Sequence, residues 1–225
     1  MDNSLKAQGP KAPQSLLLLS AAAASLVVFA LTSSLVVTGS TAALDERALL
    51  SLRHADDPFT PVGPDWLLPA AREVTGLGGT PLLTLLTLFL ASYLAVKRRG
   101  RTIIVLLAAV IGQTLLSHWL KDIFGRPRPD IVPHLVDASS RSFPSGHSTS
   151  AAAVYLTLAA LIARETKERI VRNYVFFVAV TLALLIGASR VYLGVHYPTD
   201  VIGGLSFGAA WAAIVLIAAQ RLERR

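Results

Sequence analysis

Two histidines, three aspartates and several strong cations stand in three short stretches of this 225-residue chain. The first stretch is Lys121-Asp122-Ile123-Phe124-Gly125-Arg126-Pro127-Arg128-Pro129-Asp130. The second is Arg141-Ser142-Phe143-Pro144-Ser145-Gly146-His147. The third runs Ser189-Arg190-Val191-Tyr192-Leu193-Gly194-Val195-His196-Tyr197-Pro198-Thr199-Asp200. Lys121, Arg128 and Arg190 supply three cations, and arginine's planar fork matches two phosphate oxygens at once. Such groups stabilise charge on the equatorial oxygens of a phosphoryl group in transfer. His147 and His196 sit on different segments, so one can attack while the other donates a proton. Asp200 follows His196 by four residues and can hold its second ring nitrogen, fixing tautomer and direction.

Pro144 can open a helix, because its missing N–H costs nothing in the first turn. Ser145 and Gly146 would then offer backbone N–H groups and a hydroxyl at a helix N-terminus, a ready anion site, with His147 in the same turn. Taken alone, Ser-Gly-His at a helix start reads equally well as a capping serine with a structural histidine behind it. Pro198 starts the last helix and places Asp200 in its first turn. Asp122, Asp130 and Asp200 form no tight acidic cluster of the kind a magnesium site needs. Two histidines and an aspartate are a conceivable transition-metal set, but three flanking cations oppose it. No metal and no cofactor is expected. With no cysteine, disulfides, cysteine-metal sites and thiol catalysis are excluded.

The elements that must position these residues are membrane helices. The chain is 53% hydrophobic and 16% charged, where a soluble domain carries about a quarter charged residues. Mean hydropathy is +0.55. A net charge of +7 would suggest nucleic acid in a soluble protein, but here the basic residues cluster between apolar runs, so topology accounts for them. Six runs free of fixed charge, at about 15–37, 81–96, 102–120, 148–163, 173–188 and 201–220, predict an all-α integral membrane protein with six transmembrane helices in a single domain, 1–225. The first run exceeds the roughly 7–15 apolar residues of a signal peptide, so an uncleaved span is expected. The fourth and fifth are short, and helices there can continue into polar ends covered by protein.

Between the first two runs, Thr38 to Gly78 is a mixed segment broken by the turn signals Asp57-Pro58 and Gly63-Pro64-Asp65. Trp66 to Val74 reads either as a short interfacial helix or as an ordered loop, and no catalytic constellation is expected in the segment. Lysine and arginine set the orientation: 13 of the 21 fall in the terminal tails and the 97–101 and 164–172 connections, all on one side of a six-span chain. Both termini are therefore expected in the cytoplasm. The three stretches then share the opposite face of the cell (inner) membrane, toward the periplasm or exterior.

Lys121-(six residues)-Arg128-Pro129, Pro144-Ser145-Gly146-His147 and Ser189-Arg190-(five residues)-His196-(three residues)-Asp200 resemble, in order and spacing, the three motifs of the type 2 phosphatidic acid phosphatase family, relatives of the vanadium haloperoxidases. The resemblance implies a metal-independent membrane phosphatase. By it, His196 is the nucleophile that forms a phosphohistidine and Asp200 its orienting carboxylate. His147 is the general acid and later the base, while Lys121, Arg128, Ser145, Gly146 and Arg190 bind phosphate. The implied substrates are lipid phosphates or diphosphates: a polyprenyl diphosphate such as undecaprenyl diphosphate, phosphatidylglycerol phosphate or phosphatidic acid. The alternatives are a lipid phosphotransferase, and an anion or lipid transporter, which the almost uncharged spans disfavour.

Other residues receive plainer readings. Arg126 is taken as a rim charge and His118 as a packed helix-end histidine. Gly204 and Gly208 form a close-packing pair. Tyr192 and Tyr197 are interfacial anchors or headgroup contacts.

Overall fold

The computed structural model describes residues 12–223. Helix α1 (Ala12–Val37) leads through the short α2 (Ala42–Leu50) into a hairpin of β1 (Arg53–His54) and β2 (Asp57–Pro61). Then come α3 (Leu67–Gly76), α4 (Thr80–Val96), α5 (Gly100–Phe124), α6 (Gly146–Arg164), α7 (Arg169–Tyr192) and α8 (Pro198–Glu223). The basic tail residues Lys6, Lys11, Arg224 and Arg225 lie outside the described residues.

Five helices, α1 and α5 to α8, are each long and apolar enough to cross a bilayer. The sixth candidate crossing is a bent pair of helices. Alone, the 17 residues of α4 rise about 26 Å, short of a hydrocarbon core of about 30 Å. Helix α3 extends it across a 45° bend. The runs expected at 148–163 and 173–188 do continue into polar ends, as Gly146–Arg164 and Arg169–Tyr192. The hairpin is the only β-sheet among the described residues. Asp57 organises it by accepting from the Phe59 N–H (3.0 Å) and the Thr60 hydroxyl (2.6 Å).

Helix α8 is the central pillar, lying against α1 on one side and α6 on the other, with α7 beyond α6. Its glycines permit that closeness. A Cβ at Gly208 would stand 2.4 Å from the Thr149 carbonyl oxygen, and one at Gly204 2.6 Å from that of Ser145. Lipid supplies no hydrophobic drive between helices, so small residues that let backbones approach carry the packing. Large apolar side chains such as Phe89, Val96 and Phe177 face outward, as a bilayer solvent allows.

At the end of the bundle that carries the three polar stretches, four aromatic rings lock the second stretch in place. Phe143, fully buried, stacks on Phe29 of α1 (6.0 Å between centroids) and meets Phe124 of α5 edge-on (4.8 Å). Phe207 of α8 closes the cluster against Phe29 at 5.3 Å. The ring anchor fixes where α6 begins.

Candidate active site

Each stretch delivers its polar residues from a helix end. Lys121 ends α5, whose C-cap Gly125 adopts the left-handed φ of 58° that lets the chain turn back. Ser145 caps α6: its Oγ accepts from the Ser148 N–H at 3.5 Å and the Ser148 hydroxyl at 3.0 Å. Gly146 and His147 therefore occupy the first two helical positions, and Pro144 stands just before the cap rather than at the first helical position. Arg190 lies in the last turn of α7. Asp200 sits in the first turn of α8, where its Oδ2 accepts from the Tyr197 N–H at 2.9 Å. A carboxylate there satisfies an orphan donor and suits the helix dipole.

Backbone hydrogen bonds tie the stretches together. Ser145 N–H donates to the Asp200 carbonyl (3.0 Å) and Ser142 N–H to that of Arg126 (2.9 Å). The result is a cavity of about 250 Å³ whose walls include Lys121, Arg128, Gly146, His147, Arg190 and His196. Two further predicted residues stand behind it. Asp200 is fully buried beneath His196, and Ser145 is fully buried with its hydroxyl turned to Ser148.

The geometry around His196 assigns its tautomer. Its Nδ1 lies 3.3 Å from Asp200 Oδ2, so the proton sits on Nδ1, donated to the carboxylate. Nε2 then carries the lone pair on the side of Arg128, whose Nη1 is 3.2 Å away. Burial pushes the His196 pKa down to about 3, against the opposing pull of Asp200, so the ring is neutral at physiological pH. A neutral imidazole with a fixed Nδ1–H leaves Nε2 unprotonated and chemically able to attack an electrophile.

The cations are positioned by protein carbonyls and hydroxyls, not by carboxylates. Arg128 donates to the Ser140 carbonyl (2.7 Å), the Val195 carbonyl (2.6 Å) and the Ser140 hydroxyl (3.2 Å). Burial lowers its pKa, with Asp200 opposing. Lys121 donates to the Arg141 carbonyl. Arg190 donates from Nη1 to Thr75 Oγ1 at 3.0 Å, while its buried Nε has no partner among the described residues. Positive charge therefore remains for an incoming anion, and an unused donor with it. Among the described residues, no three His, Asp or Glu side chains converge as metal ligands would.

Several residues differ from their sequence reading. Arg126 is not a rim charge. Its guanidinium, 14% exposed, bridges two buried carboxylates, with Nη1 2.7 Å from Asp200 Oδ1 and Nη2 2.8 Å from Asp45 Oδ2. Burial disfavours its charge, but Asp200 and Asp45 more than offset this and raise its pKa. Asp45 also accepts from the Thr199 N–H (3.1 Å) and hydroxyl (2.6 Å), so α2 grips the start of α8. Ser142 is a further residue the sequence did not flag: its hydroxyl donates to Asp200 Oδ2.

The segment from Thr38 to Gly78, expected to hold nothing catalytic, thus supplies Asp45 and Thr75 to the site. It also supplies Gly78, which with Thr80 lines the cavity. Any side chain at Gly78 would meet Ile186 at 2.6 Å and the His147 carbonyl at 3.2 Å, so the joint between α3 and α4 must be bare there. Tyr192 and Tyr197 both have partners within the protein. The Tyr192 hydroxyl donates to the Val62 carbonyl at 3.0 Å, and the Tyr197 ring lies 4.3 Å from the Arg126 guanidinium. His118 is not packed as expected: it is exposed near the end of α5, 2.8 Å from the Thr114 carbonyl oxygen, and it borders the cavity.

A buried, oriented imidazole facing three cations and a second histidine is the equipment of phosphoryl transfer, here set at one end of a bundle of membrane-crossing helices. Comparison with known proteins agrees. The PAP2 superfamily model matches residues 102–224, and the chain belongs to that superfamily. Phosphatidylglycerophosphatase B of Bacillus subtilis is 37% identical over 147 residues, 64% of this chain and 70% of that protein. A lipid A 1-phosphatase of Rhizobium etli is 36% identical over 121 residues, 50% of this chain and 48% of the relative. The crystal structure of a transmembrane PAP2 type phosphatidylglycerolphosphate phosphatase from Bacillus subtilis superposes with a TM-score of 0.77 at 29% identity. It covers 90% of this chain and 98% of that one. The chain is a multi-pass membrane phosphatase of lipid phosphates.

Proposed function

We propose that this enzyme hydrolyses the phosphomonoester of a glycerol-based lipid, phosphatidylglycerol phosphate first among candidates, through a phosphohistidine on His196. The observation that carries the reading is His196 itself: buried, neutral, its Nδ1 on Asp200 and its Nε2 side facing the cations. In the first step Nε2 attacks phosphorus and the bond from phosphorus to the lipid oxygen breaks. His147, across the same cavity, gives its proton to that leaving oxygen. In the second step His147 takes a proton from water, the oxygen attacks phosphorus, and the P–N bond breaks to release inorganic phosphate. Lys121, Arg128 and Arg190 hold the equatorial oxygens throughout, with Gly146 at the α6 N-terminus. Ser145 serves that anion site by capping the helix that presents it. No step calls for a metal.

The face is proposed to be the outer one of the cell membrane, supported by the 13 of 21 lysines and arginines at the other end of the spans. The substrate choice is supported by a relative 37% identical to this chain and by the solved structure that covers 90% of it, both named for phosphatidylglycerophosphate. The test is phosphate release by detergent-purified protein, with excess chelator, from phosphatidylglycerol phosphate, phosphatidic acid and undecaprenyl diphosphate in parallel. Chelator-resistant release, fastest from the first, is expected. Faster release from the diphosphate would overturn the substrate assignment, and loss of all release on chelation would overturn the metal-free mechanism.

A further inference from the structure

A cavity of about 1090 Å³ lies at the end of the bundle remote from the histidines and shares no residue with the cavity they line. Pockets for small ligands run to about 300–1,000 Å³, so this one has room for more than a small anion. One wall is the α4 stripe Leu86, Phe89, Leu90, Tyr93 and Leu94, at the three- and four-residue steps that share a helix face. The other is Leu158, Leu161 and Ile162 of α6. These stripes do not close on one another: Phe89 is 76% exposed, Tyr93 53% and Ile162 52%.

The mouth is cationic. Lys97, Arg98, Arg99 and Arg101 crowd into the turn from α4 to α5, and Arg164 lines the far side. Arg98 turns the chain there with a left-handed φ of 55°. The single carboxylate in the lining, Glu165, is already taken by both arms of Arg99, so it does not neutralise Arg98 or Arg101. From Leu86 to Lys97 the wall rises about 16 Å, half of a hydrocarbon core of about 30 Å. Inorganic phosphate or a soluble headgroup needs no such wall. An acyl chain of one leaflet does, and its anionic headgroup would lie at the cations.

We infer that this cavity is a binding site for an anionic diacyl phospholipid, chains against α4 and α6 and phosphodiester at the 97–101 turn, separate from the lipid being hydrolysed. A phosphodiester bound here is remote from His196 and is not consumed.

The test uses the full chain with Phe89→Trp, a substitution at an exposed position, and lipids with brominated acyl chains, which quench tryptophan at short range. Fluorescence of the unsubstituted protein, with its own Trp66, Trp119 and Trp211, is subtracted. Brominated phosphatidylglycerol should quench the reporter at several-fold lower mole fraction than brominated phosphatidylcholine. Arg98→Gln with Arg101→Gln should remove the difference. In parallel, native mass spectrometry of otherwise unsubstituted protein should show a retained anionic lipid that the double variant loses. Equal quenching by both lipids would mean ordinary annular lipid and overturn the inference. So would a preference that survives the double variant, or one abolished by millimolar inorganic phosphate, the mark of a soluble-anion site.

Discussion

Arg126 offers the sharpest perturbation, because a rim charge and a buried bridge predict different outcomes. Its guanidinium spans Asp45 and Asp200 at 2.8 and 2.7 Å and also donates to Thr199 Oγ1 at 2.8 Å. Replacing it by glutamine leaves two buried carboxylates without their shared cation. Breaking a buried pair by removing one partner costs about 3–5 kcal/mol. Asp45 keeps both Thr199 donors, and Asp200 keeps Ser142, His196 and the Tyr197 N–H, so the low end applies, about 3 kcal/mol. For a chain of this size that is a fall of about 6–12 °C in Tm.

Catalysis should suffer through Asp200. Loss of a group that orients a catalytic one typically costs on the order of 10–100-fold, and it should appear in kcat. KM should change little, since Arg126 does not line the cavity with the histidines. The assay is phosphate release alongside thermal unfolding in detergent, for Arg126→Gln, Asp45→Asn and the double variant. The double variant should recover part of the lost stability, because one uncompensated carboxylate is then neutral. Wild-type kcat and Tm in Arg126→Gln, or a rise in KM alone, would refute the bridging role and restore Arg126 to the rim.

Three further outcomes follow from the same geometry. His196→Ala should abolish turnover with little loss of fold, while Asp200→Asn should lower kcat by about 10³–10⁴-fold, since an amide can hold the wrong tautomer; burst and steady-state kinetics read both. Acid stability should bear the mark of His196, whose folded pKa of about 3 lies below the ordinary 6.5. Its contribution is full above pH 6.5 and is lost as pH falls toward 3, so Tm should drop over that window and drop less in His196→Gln. Gly208→Val should lower Tm strongly, because its Cβ would enter the Thr149 carbonyl at 2.4 Å and force α6 from α8; thermal scanning checks this against Gly100→Val, where nothing lies within 4 Å.

The helices were legible in the sequence because hydropathy is a local property: each span reveals itself without its neighbours. His196 and Asp200 were legible for a similar reason, four residues apart and so pinned by a single turn of chain. Arg126 and Asp45 were not, since they lie 81 residues apart and nothing local marks either as a partner of the other. Spacing made Arg126 look surplus, when it joins Asp45 of α2 to Asp200 of α8. The composite crossing was hidden for the opposite reason. Helix α3 carries charge and is too short to read as a span, and its continuity with α4 depends on a bare glycine joint packed against His147. Ser142 was overlooked because a serine two residues before a proline has no distinctive pattern, although its hydroxyl completes the set of donors on Asp200.

The central claim is that phosphate passes through His196. The direct measurement is a rapid alkaline quench of the unsubstituted protein with lipid substrate carrying labelled phosphate, followed by peptide mapping. Acid-labile, alkali-stable label on the peptide containing His196, absent when His196 is replaced by alanine, is the predicted result. Full turnover with no protein-bound label, or label on any other residue, would contradict it.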